Sequence, residues 1–404
     1  MPDKTPQDNG VFCVLPWSHL AVQPDGRVYP CCASFGNKEP LGDMRRQDLK
    51  EIWNSPGMRR LRNDMLSGRP SPYCADCYEW ERSGLFSARL RANKDYAAHR
   101  SRASATNPDG SVDSFRLVYL DIRFSNECNF RCRICGPWLS TAWYAESPGS
   151  GARKALRPSD DPESLWRQIE PHLAELEEVY FAGGEPLIMK EHYRLLDALS
   201  RRGLFHVRLR YSTNFSQTSL GDDDVLRLWA RFHDVSVAAS LDGSGRRGEY
   251  LRKGQRWERT VENRRRMMKE CPQAKFLLSP TLCVMNALHL PDFHGEWLEA
   301  GLSEPEDFHL NMLLRPEEYR INILPGNYKT DVERKYGEHV ERLRRRWGER
   351  AVRPIEAFEG ALRFLRAEEK EDLLLRFRAK TLRLDEDRGE SFREIFPELA
   401  GLMG

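Results

Sequence analysis

The chain has 404 residues, more than one ordinary hydrophobic core accommodates, and its 40% hydrophobic against 31% charged residues exclude a disordered chain. Lys plus Arg is 63 and Asp plus Glu is 61, so the net charge of +2 gives no overall drive toward nucleic acid or an anionic membrane. No stretch approaches the roughly 18 apolar residues of a membrane span, and the opening MPDKTPQDNG has no apolar signal core, so a cytoplasmic chain with reduced thiols is expected.

In such a compartment ten cysteines point to metal binding or catalysis rather than disulfides. Five fall early in the chain: Cys13, Cys31, Cys32, Cys74 and Cys77. Around them, VFCVLPWSHLAVQPDGRVYPCCA (11–33) predicts a β-hairpin, with HLAV and RVYP as strands and Pro-Asp-Gly as the turn. A short helical stretch follows, broken at Ser55-Pro56-Gly57, and then CADC at 74–77. So small a unit is expected to need a metal staple. Two separated cysteine elements on a hairpin suit either a zinc ribbon or an iron–sulfur site. This first domain is expected over residues 1–85.

Residues 86–114 read as a linker, ending in SRASATNPDGS. From Phe115 strands and helices alternate. LVYLDIRF (117–124), VYFAGG (179–184), HVRLRYST (206–213), DVSVAASL (234–241), KFLLSPTLCV (275–284) and FHLNMLL (308–314) are six strand candidates. Helical spacing lies between them: Leu165, Ile169, Leu173 and Leu176 mark one helix, which Pro171 kinks. The pattern predicts an α/β fold, an incomplete (β/α)6 barrel over 115–330 with its chemistry at the C-terminal ends of the strands. Asp121 and Arg123 alternate with Leu120 and Ile122, which would turn them into the barrel toward a substrate. Residues 331–404 are charged and helical in pattern, a C-terminal extension.

The strand ends carry the unusual residues. Cys128, Cys132 and Cys135 follow the first in a C-x3-C-x2-C spacing, and Gly183-Gly184-Glu185-Pro186 follows the second. Thr213-Asn214 ends the third, and Ser240-Leu241-Asp242-Gly243 the fourth. Three thiolates on one loop hold three irons of a four-iron cluster and leave the fourth open; a structural zinc site asks for four closed ligands.

CNFRCRIC resembles the signature of radical S-adenosylmethionine (radical SAM) enzymes, and the resemblance extends over roughly residues 115–325. It implies a partial (β/α)6 barrel and a [4Fe–4S] cluster on Cys128, Cys132 and Cys135, whose open iron chelates SAM. GGEP resembles the family's second motif, in which Gly183, Gly184 and Glu185 take the SAM amino group. Asn214, Ser240 and Asp242 stand where relatives contact SAM's ribose or carboxylate, and Arg252 in YLRKG resembles an arginine that pairs with the carboxylate. One departure is Ile134, where the family usually has an aromatic residue. The spacing from Cys13 through Gly26 to Cys31 resembles the element of SPASM and twitch domains, which bind auxiliary [4Fe–4S] clusters. It implies Cys13, Cys31, Cys74 and Cys77 as four ligands, with Cys32 the alternative to Cys31. Five cysteines suit the shorter twitch form, and the unit here precedes the barrel rather than following it.

The resemblance implies an enzyme of oxidoreductase or maturase type. It would cleave SAM reductively to a 5′-deoxyadenosyl radical and abstract a substrate hydrogen. An auxiliary cluster with four protein ligands favours oxidation or bond formation, with the cluster as electron acceptor. A peptide and a small molecule are both open as substrate; the position of Cys13, close to the first residue, argues against a leader-binding domain upstream. An electron donor such as flavodoxin or ferredoxin is implied, and neither a membrane nor nucleic acid is expected as partner. The alternative is a non-catalytic zinc or iron–sulfur adaptor, or an electron carrier.

Overall fold

The computed structural model of the chain describes residues 9–35, 38–82, 86–146 and 153–404. The expected end of the first domain, at residue 85, lies outside the described residues. Two compact units emerge, one within Met1–Asn126 and Ala155–Arg210, the other within Glu127–Lys154 and Tyr211–Gly404.

The first unit is built on a sheet. Its strands are β1 (His19–Val22), β2 (Arg27–Tyr29), β3 (Gly42–Asp43), β4 (Tyr119–Ile122), β5 (Glu178–Phe181) and β6 (Arg208–Thr213), whose last three residues belong to the second unit. They lie in the order β3-β2-β1-β4-β5-β6. β1 and β2 form the expected hairpin, antiparallel with Val22 opposite Val28. β1 then pairs in parallel with β4, His19 opposite Tyr119 through Val22 opposite Ile122. β4 in turn pairs in parallel with β5, setting Asp121 beside Tyr180.

Period-two alternation gives this sheet two chemically distinct faces. Leu20, Val22, Leu120, Ile122, Val179, Phe181 and Leu209 are all buried. Helix Lys190–Arg201 packs on this face through His192, whose ring centroid is 4.8 Å from that of Phe181. The other face carries polar rows, His19–Tyr119–Glu178 and Ala21–Asp121–Tyr180. The helix read from Leu165 to Leu176 is α-helical over Pro162–Ile169 and tightens to 3-10 geometry over Glu170–Glu175, at Pro171.

The small cysteine-rich segment has more core than its length suggests. Phe12, Leu20, Val28, Ile52, Trp53, Met58 and Leu61 are almost fully buried, and Arg62 is enclosed among them, donating to Pro16 O at 2.9 Å. The parallel partner β4 extends the sheet beside it, so the segment adds an apolar core to whatever its cysteines hold.

The second unit holds β7 (Ser219–Leu220) with β8 (Asp223–Asp224), then β9 (Val235–Ala239) beside the end of β6, and β10 (Lys275–Leu278) parallel to β9. β11 (Thr281–Leu282) pairs in parallel with β12 (Asn311–Met312). The fifth strand candidate thus splits at Ser279-Pro280, since proline offers no N–H to continue the ladder. The C-terminal region is helical: Gly326–Trp347, Val352–Ala367 and Leu374–Arg388. Phe358 anchors the first two, with Tyr336 and His339 rings 5.1 and 4.8 Å away. Among the described residues no helix is long and apolar enough to cross a membrane.

Candidate iron–sulfur and SAM sites

In the first unit, four of the five early cysteines gather. Cys13, Cys74 and Cys77 are buried and Cys31 half-buried. Short turns set them. Cys31 precedes the 3-10 turn Cys32–Ser34, Cys74 ends the turn Pro72–Cys74, and Cys77 sits on the next helix, Ala75–Arg82. Ser34 ties two of these segments together, with its Oγ 3.3 Å from Cys31 Sγ and donating to Tyr73 O at 3.0 Å. Burial raises the Cys13 thiol well above the usual range, and the neighbouring Cys74 adds to it. Burial likewise pushes Cys74 up to about 11, assisted by Cys77. The adjacent pair diverges. Cys31 feels Cys74 and Cys77, whereas Cys32 is exposed and feels Asp121 first, then Cys31, Arg123 and Cys77.

The GGEP turn belongs to the same unit. Gly183 adopts φ +82°, and a Cβ there would fall 2.5 Å from Arg123 Cβ. Only glycine meets both conditions without strain. Glu185 is 1% exposed and accepts the Leu187 N–H at 3.0 Å, capping the short turn Pro186–Ile188. Arg123 Nη1 donates to Asp121 Oδ1 at 2.7 Å, while Asp121 Oδ2 is buried and unpartnered among the described residues.

In the second unit, Cys128, Cys132 and Cys135 lie on one irregular loop, and Cys135 N–H closes a turn on Cys132 O at 3.0 Å. Two expected SAM residues are directed at the sulfurs. Asn214 Nδ2 donates to Asn129 Oδ1 at 2.8 Å and lies 3.9 Å from Cys128 Sγ. Arg252 Nη1 lies 4.0 Å from Cys132 Sγ. Arg252 also pairs with Asp242, Nη2 to Oδ1 at 3.0 Å, and both are buried. Asp242 Oδ1 accepts the Thr281 N–H as well, at 2.8 Å. Ser240 follows β9 and is joined to β6 by its N–H, 2.8 Å from Thr213 O. Gly254 comes so close to this loop that a Cβ would stand 2.8 Å from Asn129 O. Phe215, next to Asn214, is held at φ +54° in the buried core, a strained backbone beside a site.

Burial pushes the Cys132 thiol up to about 12, against the opposing pull of Arg252, and raises Cys135 too. Buried thiols that keep their protons become thiolates when a cationic centre arrives, so each donor set fits a soft iron–sulfur group whose binding releases protons. Among the described residues no three His, Cys, Asp or Glu side chains converge as ligands of a single ion would.

The sequence reading missed the residues that brace this loop. Arg133 stands inside the cysteine motif, yet its partners Tyr250, Asp385 and Glu390 lie more than 100 residues away. Trp143 and Glu146 belong to the same surroundings: Trp143 Nε1 donates to Cys132 O at 3.1 Å, and Glu146 pairs with Arg131.

Residues 122–299, which include the loop and its three thiols, match the family model of the radical SAM superfamily. A second model, an iron–sulfur cluster-binding domain named SPASM, matches residues 13–78, so the two matched segments carry a SPASM domain ahead of a radical SAM domain. The cofactors of that class are a [4Fe–4S] cluster with SAM, and auxiliary iron–sulfur clusters for the second domain. No protein of curated function matches the chain.

Among solved structures, anSMEcpe with bound AdoMet is 17% identical with a TM-score of 0.41, covering 60% of each chain. Streptococcus suis SuiB bound to S-adenosylmethionine is 15% identical with a TM-score of 0.39, covering 81% of this chain and 69% of that one. SuiB bound to the precursor peptide SuiA is 14% identical with a TM-score of 0.38, over 81% and 70%. The chain thus spans 60% of the length of the anSMEcpe structure.

Proposed function

We propose that this chain is a radical SAM oxidoreductase or maturase that oxidises, or forms a bond on, a peptide or small-molecule substrate. In this reading residues 1–85 are the auxiliary-cluster domain, 86–114 its linker, 115–330 the partial barrel and 331–404 the helical extension. Cys128, Cys132 and Cys135 would hold the catalytic cluster, and Cys13, Cys31, Cys74 and Cys77 the auxiliary one. Gly183, Gly184 and Glu185 would accept the SAM ammonium, a cation that needs acceptors and close backbone approach. Asn214, Ser240, Asp242 and Arg252 would meet the rest of SAM. When bound, these groups supply the hard chemistry: reductive cleavage of a carbon–sulfur bond, a 5′-deoxyadenosyl radical that takes a substrate hydrogen, and an acceptor for the electron the substrate gives up.

The chain's own residues do the rest. Asn214 and Arg252 approach the sulfurs of Cys128 and Cys132, and hydrogen bonds to sulfur set a cluster's potential. Arg252 keeps its charge in a buried place because Asp242 answers it. Asp121, Arg123 and Tyr180 line the polar face of β4 and β5 and offer acceptor and donor groups to a substrate rich in amides or hydroxyls. A chain working in the cytoplasm would draw its electron from a flavodoxin or ferredoxin.

What supports this reading is two groups of cysteines, three on one loop and four drawn near one another in the first unit, of a chemistry that suits soft iron–sulfur groups. Anaerobic purification, cluster reconstitution and incubation with SAM and a strong reductant test it. About eight irons per chain are expected for two [4Fe–4S] clusters, with 5′-deoxyadenosine formed and lost in the Cys128/Cys132/Cys135→Ala variant. Zinc in place of iron, with SAM left intact, would replace the enzyme by a metal-binding adaptor; redox-active clusters without SAM turnover would leave an electron carrier.

A further inference from the structure

We infer that the C-terminal extension is a clamp on the cluster-binding loop, and that Arg133 is its positioning residue, holding the loop and tuning the charge around its cluster. The inference rests on the cluster reading above.

Arg133 lies between Cys132 and Cys135, and its side chain is 0% exposed. A buried guanidinium needs its charge answered. Nη2 meets Asp385 Oδ1 at 2.6 Å and Glu390 Oε2 at 2.7 Å, while Nε donates to Tyr250 O at 3.2 Å. The guanidinium carbon stands 3.6 Å above the Tyr250 ring, and the Tyr250 hydroxyl donates to the same Asp385 oxygen at 2.7 Å. Asp385 cannot drift, because its second oxygen accepts the Phe392 N–H at 2.7 Å. Glu390 is held from its other side by Lys253, at 2.8 Å.

A second link grips the far flank of the loop. Helix Leu374–Arg388 ends in Arg388, whose side chain is also 0% exposed. Its Nη2 donates to Glu146 Oε2 at 2.8 Å and to Arg131 O at 2.9 Å, and the guanidinium lies 5.0 Å from the Trp143 ring centroid. Trp143 bonds the Cys132 carbonyl, so the helix end reaches a cluster ligand's own backbone. Two buried arginine–carboxylate links from one helix end thus fasten both sides of the cysteine motif. Partners of this kind orient the ligands they do not themselves replace.

The charge makes the idea testable apart from folding. Removing the Arg133 cation makes electron uptake by the neighbouring cluster harder; removing an opposing anion makes it easier. Redox titration of the reconstituted holoenzyme, monitored by EPR of the reduced SAM-site cluster, should give shifts of opposite sign. Arg133→Gln should lower the midpoint potential, Asp385→Asn should raise it, and Arg133→Lys should stay near wild type. Both charge-removing variants should lose iron to a chelator at least about tenfold faster than wild type. Shifts of one sign in both, or none in either, overturn the tuning role, and unchanged iron loss overturns the clamp. Should wild type hold no iron at Cys128, Cys132 and Cys135, the cluster reading itself fails. Hydrogen exchange on the apo chain then decides the clamp alone: Asp385→Asn should reduce protection of residues 127–146 by at least about tenfold, and equal protection would refute it.

Discussion

Gly183 and Arg123 show how one position can carry two constraints. The backbone at Gly183 is left-handed, and the space a methyl would fill is taken by the Arg123 side chain. Gly183→Ala should therefore cost about 2–3 kcal/mol, from the left-handed backbone and the clash together. In an Arg123→Ala background the cost should fall toward the roughly 1–2 kcal/mol of the backbone alone. Urea unfolding of the four members of this cycle measures the coupling; equal penalties in both backgrounds would show that Arg123 does not press on the turn. Asp121 beside it gives a pH signature. Burial raises its carboxyl to about 6, in spite of the Arg123 cation. The folded state then holds the proton to higher pH than an unfolded chain with a pKa of about 3.9, so folding loses stability as pH rises from about 4 through 6. The loss is about 3 kcal/mol at one pKa unit per 1.36 kcal/mol, and it should vanish in Asp121→Asn. Denaturation of both proteins between pH 4.5 and 7.5 checks the difference, which a parallel pair of curves would contradict. The glycine doublet and the acid–base alternation on β4 were legible in the sequence. Arg133 was visible but mute, because its meaning lies in carboxylates 252 and 257 positions away.

At the scale of elements, local chemistry marked the strands well and their partners poorly. Pro-Asp-Gly announced the hairpin, and the turn closes with Gly26 N–H on Gln23 O at 3.0 Å. Nothing in HLAV announces that its other edge pairs in parallel with Tyr119–Ile122, since a parallel ladder is made by residues a hundred positions apart. The six-strand rhythm was legible as well, although the last candidate pairs as a short ladder over Asn311–Met312 and a single bridge from Phe308 to Leu278. Adjacent cysteines are another case where the element decides. Cys31 caps the 3-10 turn that Cys32 opens; Cys31 feels Cys74 and Cys77, whereas the exposed Cys32 feels Asp121 most strongly among its neighbours and Cys77 least. Cys31→Ser should cost the auxiliary iron, about four atoms per chain, whereas Cys32→Ser should keep it. Iron analysis after anaerobic reconstitution distinguishes them, and the reverse outcome would make Cys32 the ligand.

For the whole molecule, the decisive property is that the two donor sets draw on different compact units, each with its own apolar core. The early cysteines sit in a segment whose Phe12, Ile52 and Trp53 are buried together with the sheet strands β1 and β4. The later three sit on a loop braced by the C-terminal helices, through Asp385, Arg388 and Glu390. Metal binding adds stability to whichever state can bind, but neither segment depends on the other's cluster for its core. The two iron loads should therefore be separable. Replacing Cys13, Cys31, Cys74 and Cys77 together by serine should leave a folded chain with about four irons and 5′-deoxyadenosine formation intact. Replacing Cys128, Cys132 and Cys135 by alanine should also leave about four irons, with SAM cleavage abolished. Circular dichroism of both variants should match wild type. A collapse of iron to zero in either variant would mean that one cluster holds the fold of the other's site, and the buried cores described above would then be too weak to stand without metal.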